Sequence, residues 1–197
     1  MNNPHSNRVI KYIEASRDAL TAALADRAFV DSVSRVAETV INALRAGKKV
    51  LLAGNGGSAA DAQHLATELM VRFYLDRAPL PAIALGTDVS AATAIGNDLG
   101  FEHLFARQIL ALGQAGDAFI GLSTSGRSPN ILAACKAARE RGMTVIGFTG
   151  AKGDQIAALC DVLVRVPSDK TPLIQQVHLA AGHIVCEIVE EALSRRT

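Results

Sequence analysis

The sequence predicts an α/β fold: a three-layer αβα sandwich around a five-stranded parallel sheet, preceded by N-terminal helices. Short apolar runs alternate with helical segments from residue 49 onward, as in chains that build a parallel sheet. The runs Val50–Ala53 and Thr144–Phe148 are apolar almost throughout, which is typical of strands buried on both faces. No internal repeat or long linker interrupts the 197 residues, so we expect a single domain.

The first 47 residues predict two helices. Apolar residues recur there at helical spacing in two stripes. The stripes consist of Val9, Ile10, Ile13, Leu20 and Leu24, and then of Phe29, Val33, Val36, Val40 and Leu44. Gly47 follows the second stripe and is a typical helix stop. We expect the two helices to pack antiparallel or end to end.

Residues 48–197 predict the sheet, the helices around it and a C-terminal helix. The expected strands are Val50–Ala53, Pro81–Leu85, Ala118–Leu122, Thr144–Phe148 and Val162–Val166. The expected helices run from about Ser58 to Phe73, Val89 to Ile95, His103 to Leu112, Pro129 to Arg141, Gln155 to Leu159 and Leu173 to Leu193.

Composition excludes several classes of protein. Hydrophobic residues make up 49% of the chain and charged residues 20%, which excludes a disordered chain. With 20 basic and 19 acidic residues the net charge is +1, so no nucleic-acid partner is expected. The sequence contains neither a secretory signal nor an apolar run long enough to span a membrane. The three cysteines are widely spaced, which indicates reduced thiols, and we expect a soluble cytoplasmic protein.

Two polar loops follow predicted strands and open predicted helices. The first is GNGGS at residues 54–58, and the second is STSGRS at residues 123–128. A helix N-terminus offers free N–H groups and a positive dipole end, so both loops suit an anion. Ser, Thr and Gly are also ordinary capping and turn residues. However, the second loop has four hydroxyls in six residues, more than a cap needs, which favours a phosphate cradle there.

A dinucleotide site is a rival interpretation of the first loop. Gly54, Gly56 and Ala59 match the G-x-G-x-x-A fingerprint formally. Asp76 precedes the second strand and cannot reach a ribose, but Asp88 follows that strand and keeps this alternative open. A nucleotide-binding P-loop is excluded because no lysine follows the glycines.

Polar residues recur on two predicted helices. His64, Glu68 and Arg72 are spaced by four and are expected on one helix face, where an ordinary surface ion pair is the alternative to a site. On the last helix, at about 100° per residue, His178 and His183 diverge by about 140°. The spacing to Gln175 does not choose between the two histidines. Two His, a Glu and a Gln together would suit zinc.

These motifs together resemble the phosphoheptose isomerase family of the SIS (sugar isomerase) fold group. The resemblance rests on 54–58 with Asp61, His64 and Glu68, on Gly96-Asn97-Asp98, on 123–126 with Ser128, and on Gln175, His178 and His183. It covers nearly the whole chain and implies one SIS domain over 1–197 with a flavodoxin-like sheet. It also implies a homotetramer with active sites at subunit interfaces.

The resemblance implies an aldose–ketose isomerase. The expected reaction converts sedoheptulose 7-phosphate to D-glycero-D-manno-heptose 7-phosphate, the first step of activated heptose synthesis for lipopolysaccharide or capsule. Glu68 is expected as the base and His183 as the acid/base partner in proton transfer through an enediol. One departure is Leu173, where family members often carry Arg; an Arg from another subunit could compensate.

Site residues carry over by motif. The zinc positions are His64, Glu68, Gln175 and His183. The substrate positions are Asn55, Gly56, Gly57, Glu68, Asn97, Asp98, Ser123, Thr124, Ser125, Ser128 and Gln175. Two alternatives remain: a non-catalytic SIS adaptor that binds the replication initiator, and an SIS isomerase of another sugar phosphate. An adaptor has no need of the four zinc-site residues together.

Overall fold

The computed structural model describes residues 5–194, which form five strands and eight α-helices. The strands are β1 (Val50–Gly54), β2 (Ala82–Ala84), β3 (Ala118–Leu122), β4 (Thr144–Thr149) and β5 (Val162–Arg165). The helices are α1 (Ser6–Ala25), α2 (Arg27–Arg45), α3 (Gly57–Met70), α4 (Val89–Asp98), α5 (Leu104–Leu112), α6 (Pro129–Glu140), α7 (Asp154–Ala157) and α8 (Thr171–Ser194). A short 3-10 turn, Phe101–His103, precedes α5.

All five strands are parallel, in the order β2-β1-β3-β4-β5. Val50 at the start of β1 pairs with Ala82 of β2 on one side and with Ala118 of β3 on the other. In this flavodoxin-like order β2 lies on one side of β1, and β3, β4 and β5 follow on the other side. The topological switch point therefore lies between β1 and β3. The crevice beyond the carboxyl ends of these two strands is where such sheets bind ligands. Both predicted loops lie there.

Two apolar cores cover the two faces of the sheet. Leu51 and Leu52 are adjacent and fully buried, and because strand side chains alternate they enter different cores. Leu52 packs with residues of α2, α3 and α8, whereas Leu51 packs with residues of α5 and α6. This arrangement confirms the predicted three-layer sandwich.

The two N-terminal helices differ in burial. Only Asp26 separates α1 from α2, and its carboxylate caps α2 by accepting hydrogen bonds from the amides of Ala28 and Phe29 at 3.0 and 3.3 Å. The apolar stripe of α2 is almost wholly buried. On α1 the small residues Ala19 and Ala23 are buried, but its larger apolar side chains are exposed.

Helix α3 ends three residues earlier than predicted, so Arg72 lies outside the helix and does not extend the face of His64 and Glu68. The reason is long-range: the carboxylate of Glu190 on α8 binds the backbone amides of residues 73–75, which turns the chain away. Within residues 5–194 no helix combines the length and apolar character needed to cross a membrane.

Candidate active site

Helices α3 and α8 cross closely where their polar residues meet. Gly182 makes the close approach possible: a Cβ there would stand 2.6 Å from two methyl carbons of Leu65. Next to this crossing, His64 of α3 and His183 of α8 face each other, with their Nε2 atoms hydrogen-bonded at 2.8 Å. A glycine next to the site histidine thus sets the distance between the two helices.

Glu68 completes a group of three side chains that could bind a metal ion. Its Oε1 lies 3.3 Å from His64 Nε2, one helical turn away. One ligand atom from each of His64, Glu68 and His183 lies within 4.8 Å of the other two. The side chain of His64 is 45% exposed and that of Glu68 20%, so the group is open to a small ligand.

The donor set suits zinc. Two imidazole nitrogens and one carboxylate oxygen, converging from two helices, are typical zinc ligands with bonds of about 2.0–2.2 Å. Three protein ligands with an accessible side leave room for a substrate or a further ligand, as catalytic zinc sites require.

Gln175, the fourth expected ligand, lies against the glycine-rich loop. Its Nε2 is 2.6 Å from the position that a Cβ of residue 57 would take, so Gly57 leaves the space that the amide fills. Gln175 precedes His183 by eight residues on α8, about two turns. Its carboxamide therefore lies beside the start of α3.

The glycine-rich loop requires its glycines. A Cβ on Gly54 would stand 2.3 Å from the carbonyl oxygen of Ser58, and Gly56 has a φ of 55°. Between them, Asn55 exchanges two side-chain hydrogen bonds with Asn130 of α6, at 2.9 and 2.8 Å. Asn130 is almost fully buried and ties the two polar loops together.

Sequence reasoning missed Asn130. An asparagine at the second position of α6, directly after the serine-rich loop, was the available signal. It points back toward Asn55 only once β1 and β3 are known to be neighbours.

The serine-rich loop uses its hydroxyls on one another. Ser123 and Ser128 share a hydrogen bond of 3.0 Å between their Oγ atoms, and Ser125 Oγ accepts one from the amide of Arg127 at 3.2 Å. Ser128 occupies the N-cap position of α6, but its side chain makes no cap hydrogen bond. Capping alone therefore does not account for these hydroxyls.

Asn97 and Asp98 bond to each other at the end of α4. Both are exposed at the end of α4, and the hydrogen bond that the structure shows for them, at 2.7 Å, joins one to the other. Asp88, the residue that kept a dinucleotide site open, caps the same helix by accepting from the amide of Ala91 at 3.0 Å. That capping role uses the carboxylate that a ribose would need.

His178 faces away from His183, in agreement with the helical angle. It is fully buried, its ring packs edge-on against Phe148, and its Nε2 lies 3.2 Å from the carbonyl oxygen of Thr149. Burial lowers the pKa of His178 to about 4, and the hydrogen bond to Thr149 opposes only part of that shift.

Two further residues border the site. Asp61 lies one turn before His64; burial raises its pKa, and the charge of His64 opposes the rise. Leu173 is buried at the start of α8, two residues before Gln175. It lines a cavity together with the cationic Arg8, Lys11 and Lys170 of the same chain.

Comparison with known proteins agrees with this geometry. Residues 11–150 match the profile of the SIS domain. A phosphoheptose isomerase from Bradyrhizobium sp. (strain BTAi1) is 52% identical over 193 residues, with 98% of each chain covered. One from Burkholderia pseudomallei (strain 1710b) is 55% identical over 192 residues, covering 95% of this chain and 97% of the relative.

Solved structures of the same kind superpose closely. A phosphoheptose isomerase from Neisseria gonorrhoeae has a TM-score of 0.88 at 44% identity, over 94% of this chain and 98% of that one. A second, from Francisella tularensis, has a TM-score of 0.90 at 37% identity, over 94% and 97%. The chain therefore belongs to the SIS domain family and, within it, to the phosphoheptose isomerases, which interconvert an aldose and a ketose.

Proposed function

We propose that the chain converts sedoheptulose 7-phosphate to D-glycero-D-manno-heptose 7-phosphate, as the first step toward activated heptose for lipopolysaccharide or capsule. The observation that carries the proposal is the convergence of His64, Glu68 and His183 at the crossing of α3 and α8. A ketose–aldose exchange needs a base and an acid close together, and carboxylates and imidazoles are the usual groups. A scaffold that served only as an adaptor would need no such group.

Glu68 and His183 divide the proton transfers. Glu68 takes the proton from C1 of the ketose and returns it to C2 of the enediol, which yields the aldose. His183 moves the proton between the oxygens on C1 and C2. Because His64 lies within hydrogen-bonding distance of His183 and beside Glu68, it orients both reacting groups.

Zinc is the cofactor that His64, Glu68 and His183 fit, with Gln175 proposed as the fourth ligand. When bound, zinc supplies polarisation of the sugar carbonyl or holds the sugar hydroxyls in the reactive conformation. A carboxylate that binds a metal is a weaker base, so the two duties of Glu68 are expected to alternate during turnover.

The two polar loops hold the substrate. Ser123, Thr124, Ser125 and Ser128 surround the phosphate, while the backbone of Asn55, Gly56 and Gly57 with the Gln175 amide faces the sugar. The positive end of the α6 helix dipole adds to the attraction for the phosphate. Asn97 and Asp98 also bind substrate in this proposal. Both side chains are exposed at the end of α4, and they are proposed to act across a subunit interface.

A homotetramer is proposed from the exposed apolar face of α1. The members of this face are Val9, Ile10, Tyr12, Ile13, Leu20 and Leu24, each at least 45% exposed. A contiguous apolar face of this kind usually marks an interface. Sedimentation at micromolar concentration should give a species of about four times 20.7 kDa. A single 20.7 kDa species would contradict the assembly.

The location proposed is the cytoplasm. The structure has its three cysteines as free thiols, two of them buried, which suits a reducing compartment.

The decisive experiment is turnover of a panel of ketose phosphates, with and without added zinc. Preferred conversion of sedoheptulose 7-phosphate, lost on chelation and restored by zinc, supports the proposal. Faster turnover of another ketose phosphate would identify an isomerase of different specificity. No turnover of any substrate by folded, zinc-loaded protein would favour the adaptor.

A further inference from the structure

A buried carboxylate that the proposed chemistry does not use lies on the same face of α8 as His183. Glu190 follows His183 by seven residues, two turns along the helix, and is 1% exposed. Its Oε1 accepts from the amide of Phe73 at 2.7 Å, and its Oε2 accepts from the amides of Tyr74 and Leu75 at 2.6 and 2.9 Å. One side chain therefore orders the segment that follows α3.

Arg77 connects that carboxylate to the end of α3. Its Nε donates to Glu190 Oε1 at 3.0 Å, and the side chains of the two residues are 5% and 2% exposed. Its Nη1 and Nη2 donate to the carbonyl oxygens of Leu69 and Glu68, each at 2.9 Å. The last carbonyls of a helix have no partner within the helix, so Arg77 holds the turn that carries Glu68.

The same segment also contacts the other side of the site. The ring of Phe73, whose amide Glu190 binds, lies 5.6 Å from the ring of His183 between centroids. The ring of Tyr74 packs against Phe73 at 4.3 Å. Arg77 thus donates a hydrogen bond to the backbone of Glu68, and Phe73 packs near the ring of His183.

Burial raises the pKa of the Glu190 carboxyl, but the three amides and Arg77 outweigh burial and hold that pKa below its ordinary value. The group is therefore an anion paired with a buried cation. Replacing an ion pair of this kind by apolar residues is often neutral or stabilising, so stability alone does not explain its presence.

We propose that Arg77 and Glu190 are positioning residues that, with Phe73, set the distance and orientation of Glu68 and His64 relative to His183. We call Arg77, Glu190 and the amides of residues 73–75 the clamp. The inference rests on the proposed function, because it assigns to the clamp the alignment of groups that bind zinc and move protons. Loss of the clamp should weaken zinc binding and slow turnover without a comparable change in substrate affinity.

Arg77→Lys is the test variant. Lysine keeps the positive charge beside Glu190, but a single ammonium group lacks the planar fork that reaches the carbonyls of Glu68 and Leu69 as well. Partners that orient metal ligands typically contribute 10–100-fold to metal affinity or activity. We expect zinc affinity, measured by chelator competition, to fall by about 10-fold or more, with kcat reduced and KM changed much less.

Asp117→Asn is the matched control. Asp117 is also a buried carboxylate that accepts from two backbone amides and one cation: Lys49 N at 3.0 Å, Gln114 N at 2.8 Å and Lys49 Nζ at 2.6 Å. It lies before β3, at the end of the sheet opposite the polar loops. This variant should lose stability while zinc affinity and kcat stay near those of the unmodified protein.

Phe73→Leu is a second variant that keeps every hydrogen bond of the clamp and removes only the ring beside His183. A smaller loss of kcat and zinc affinity is expected. Unchanged zinc affinity and kcat in folded Arg77→Lys would overturn the proposal, as would equal losses in Asp117→Asn. If Arg77→Lys does not fold, Phe73→Leu decides, and unchanged values there overturn it.

The unmodified protein separates this proposal from the proposed function. Zinc binding without isomerase activity would contradict the proposed function, and zinc affinity would then be the quantity that tests the clamp. Isomerase activity without zinc would contradict the proposed cofactor, and kcat would then be the quantity that tests the clamp. A chain with neither property would overturn both.

Discussion

His178 and His183 are five residues apart on one helix, yet their surroundings are opposite. His183 is partly exposed and meets His64 at the crossing of α3 and α8. His178 is fully buried against Phe148 and Thr149, with its pKa lowered to about 4 by burial. The difference arises from helical geometry, because five residues turn a side chain by about 140°. One face of α8 therefore carries the proposed proton-transfer group, and the other packs against the end of β4.

The largest expected effect tests this division at the reacting groups. Glu68→Gln keeps the shape of the side chain and removes the proposed base, so turnover should fall by about 10²–10⁴-fold. His183→Gln should fall by a similar factor and also weaken zinc. Because the two groups act as a unit, the double variant should be little worse than either single one. The measurement is ketose-to-aldose turnover by folded protein.

His178→Gln is the matched control on the same helix. It should keep most of the turnover, since its ring nitrogen lies against a backbone carbonyl and not at the site. Activity lost in His178→Gln but kept in His183→Gln would reverse the assignment of the two histidines. Turnover close to that of the unmodified protein in Glu68→Gln would remove Glu68 as the base.

The elements of the sheet could be predicted from sequence because their physical requirements are local. A strand covered on both faces must be apolar along its length, and the predicted strand Thr144–Phe148 falls within β4, which runs only one residue further. The start of α6 was equally clear, since Ser128 and Pro129 are typical of the first positions of a helix.

The end of α3 could not be predicted because its cause is distant in sequence. Residues 71–73 continue the helical pattern, and only the approach of Glu190 from α8 shows why the chain turns. The contacts of Arg77 and Asn130 are also distant in sequence, so no local pattern predicts them. The apolar stripes of α1 and α2 look alike, yet one is exposed and the other buried, because periodicity does not say which surface will cover a helix.

Within the site, spacing brought His64 and Glu68 together but did not choose a histidine on α8. The choice of His183 came from the family resemblance. The fold supplies the physical reason: the small residue beside it, Gly182, packs on Leu65 and brings His183 to His64. That contact joins residues 117 positions apart, so no local pattern reports it.

A second test concerns His178, the buried histidine of the two on α8. The pKa of His178 is about 4 when folded and about 6.5 in an unfolded chain, so the unfolded chain binds the extra proton between these values. The stability contributed by the neutral ring is therefore full above about pH 6.5 and is lost as the pH falls toward 4. The expected loss is about 3 kcal/mol.

Urea unfolding between pH 7 and pH 4 measures this loss. The unmodified protein should lose about 3 kcal/mol more than His178→Gln over that range, since carboxylates contribute alike to both. Parallel pH profiles for the unmodified protein and His178→Gln would contradict the burial of a neutral imidazole.

The smallest expected effect concerns the serine-rich loop, residues 123–128, which is linked to His178 through Thr149 and Gly150. Thr149, whose carbonyl contacts His178, precedes Gly150, and the amide of Gly150 donates to the carbonyl of Thr124 at 3.1 Å. If this loop holds the phosphate, Ser125→Ala should raise KM by roughly 10–100-fold, since one charge-assisted hydrogen bond contributes about 1.5–3 kcal/mol. The value of kcat should change much less, in contrast to His183→Gln.

Ser168→Ala controls for the local turn. Its hydroxyl accepts from the amide two residues on, Lys170, at 3.2 Å, which is the same bond that Ser125 makes with Arg127. Because Ser168 lies outside the proposed phosphate loop, Ser168→Ala loses the same kind of turn bond and should leave KM unchanged. A rise in KM confined to Ser125→Ala assigns the effect to the serine-rich loop, and weaker competition by inorganic phosphate in that variant assigns it to phosphate binding. An unchanged KM in Ser125→Ala would mean that the phosphate binds elsewhere. The serine-rich loop would then have no assigned ligand.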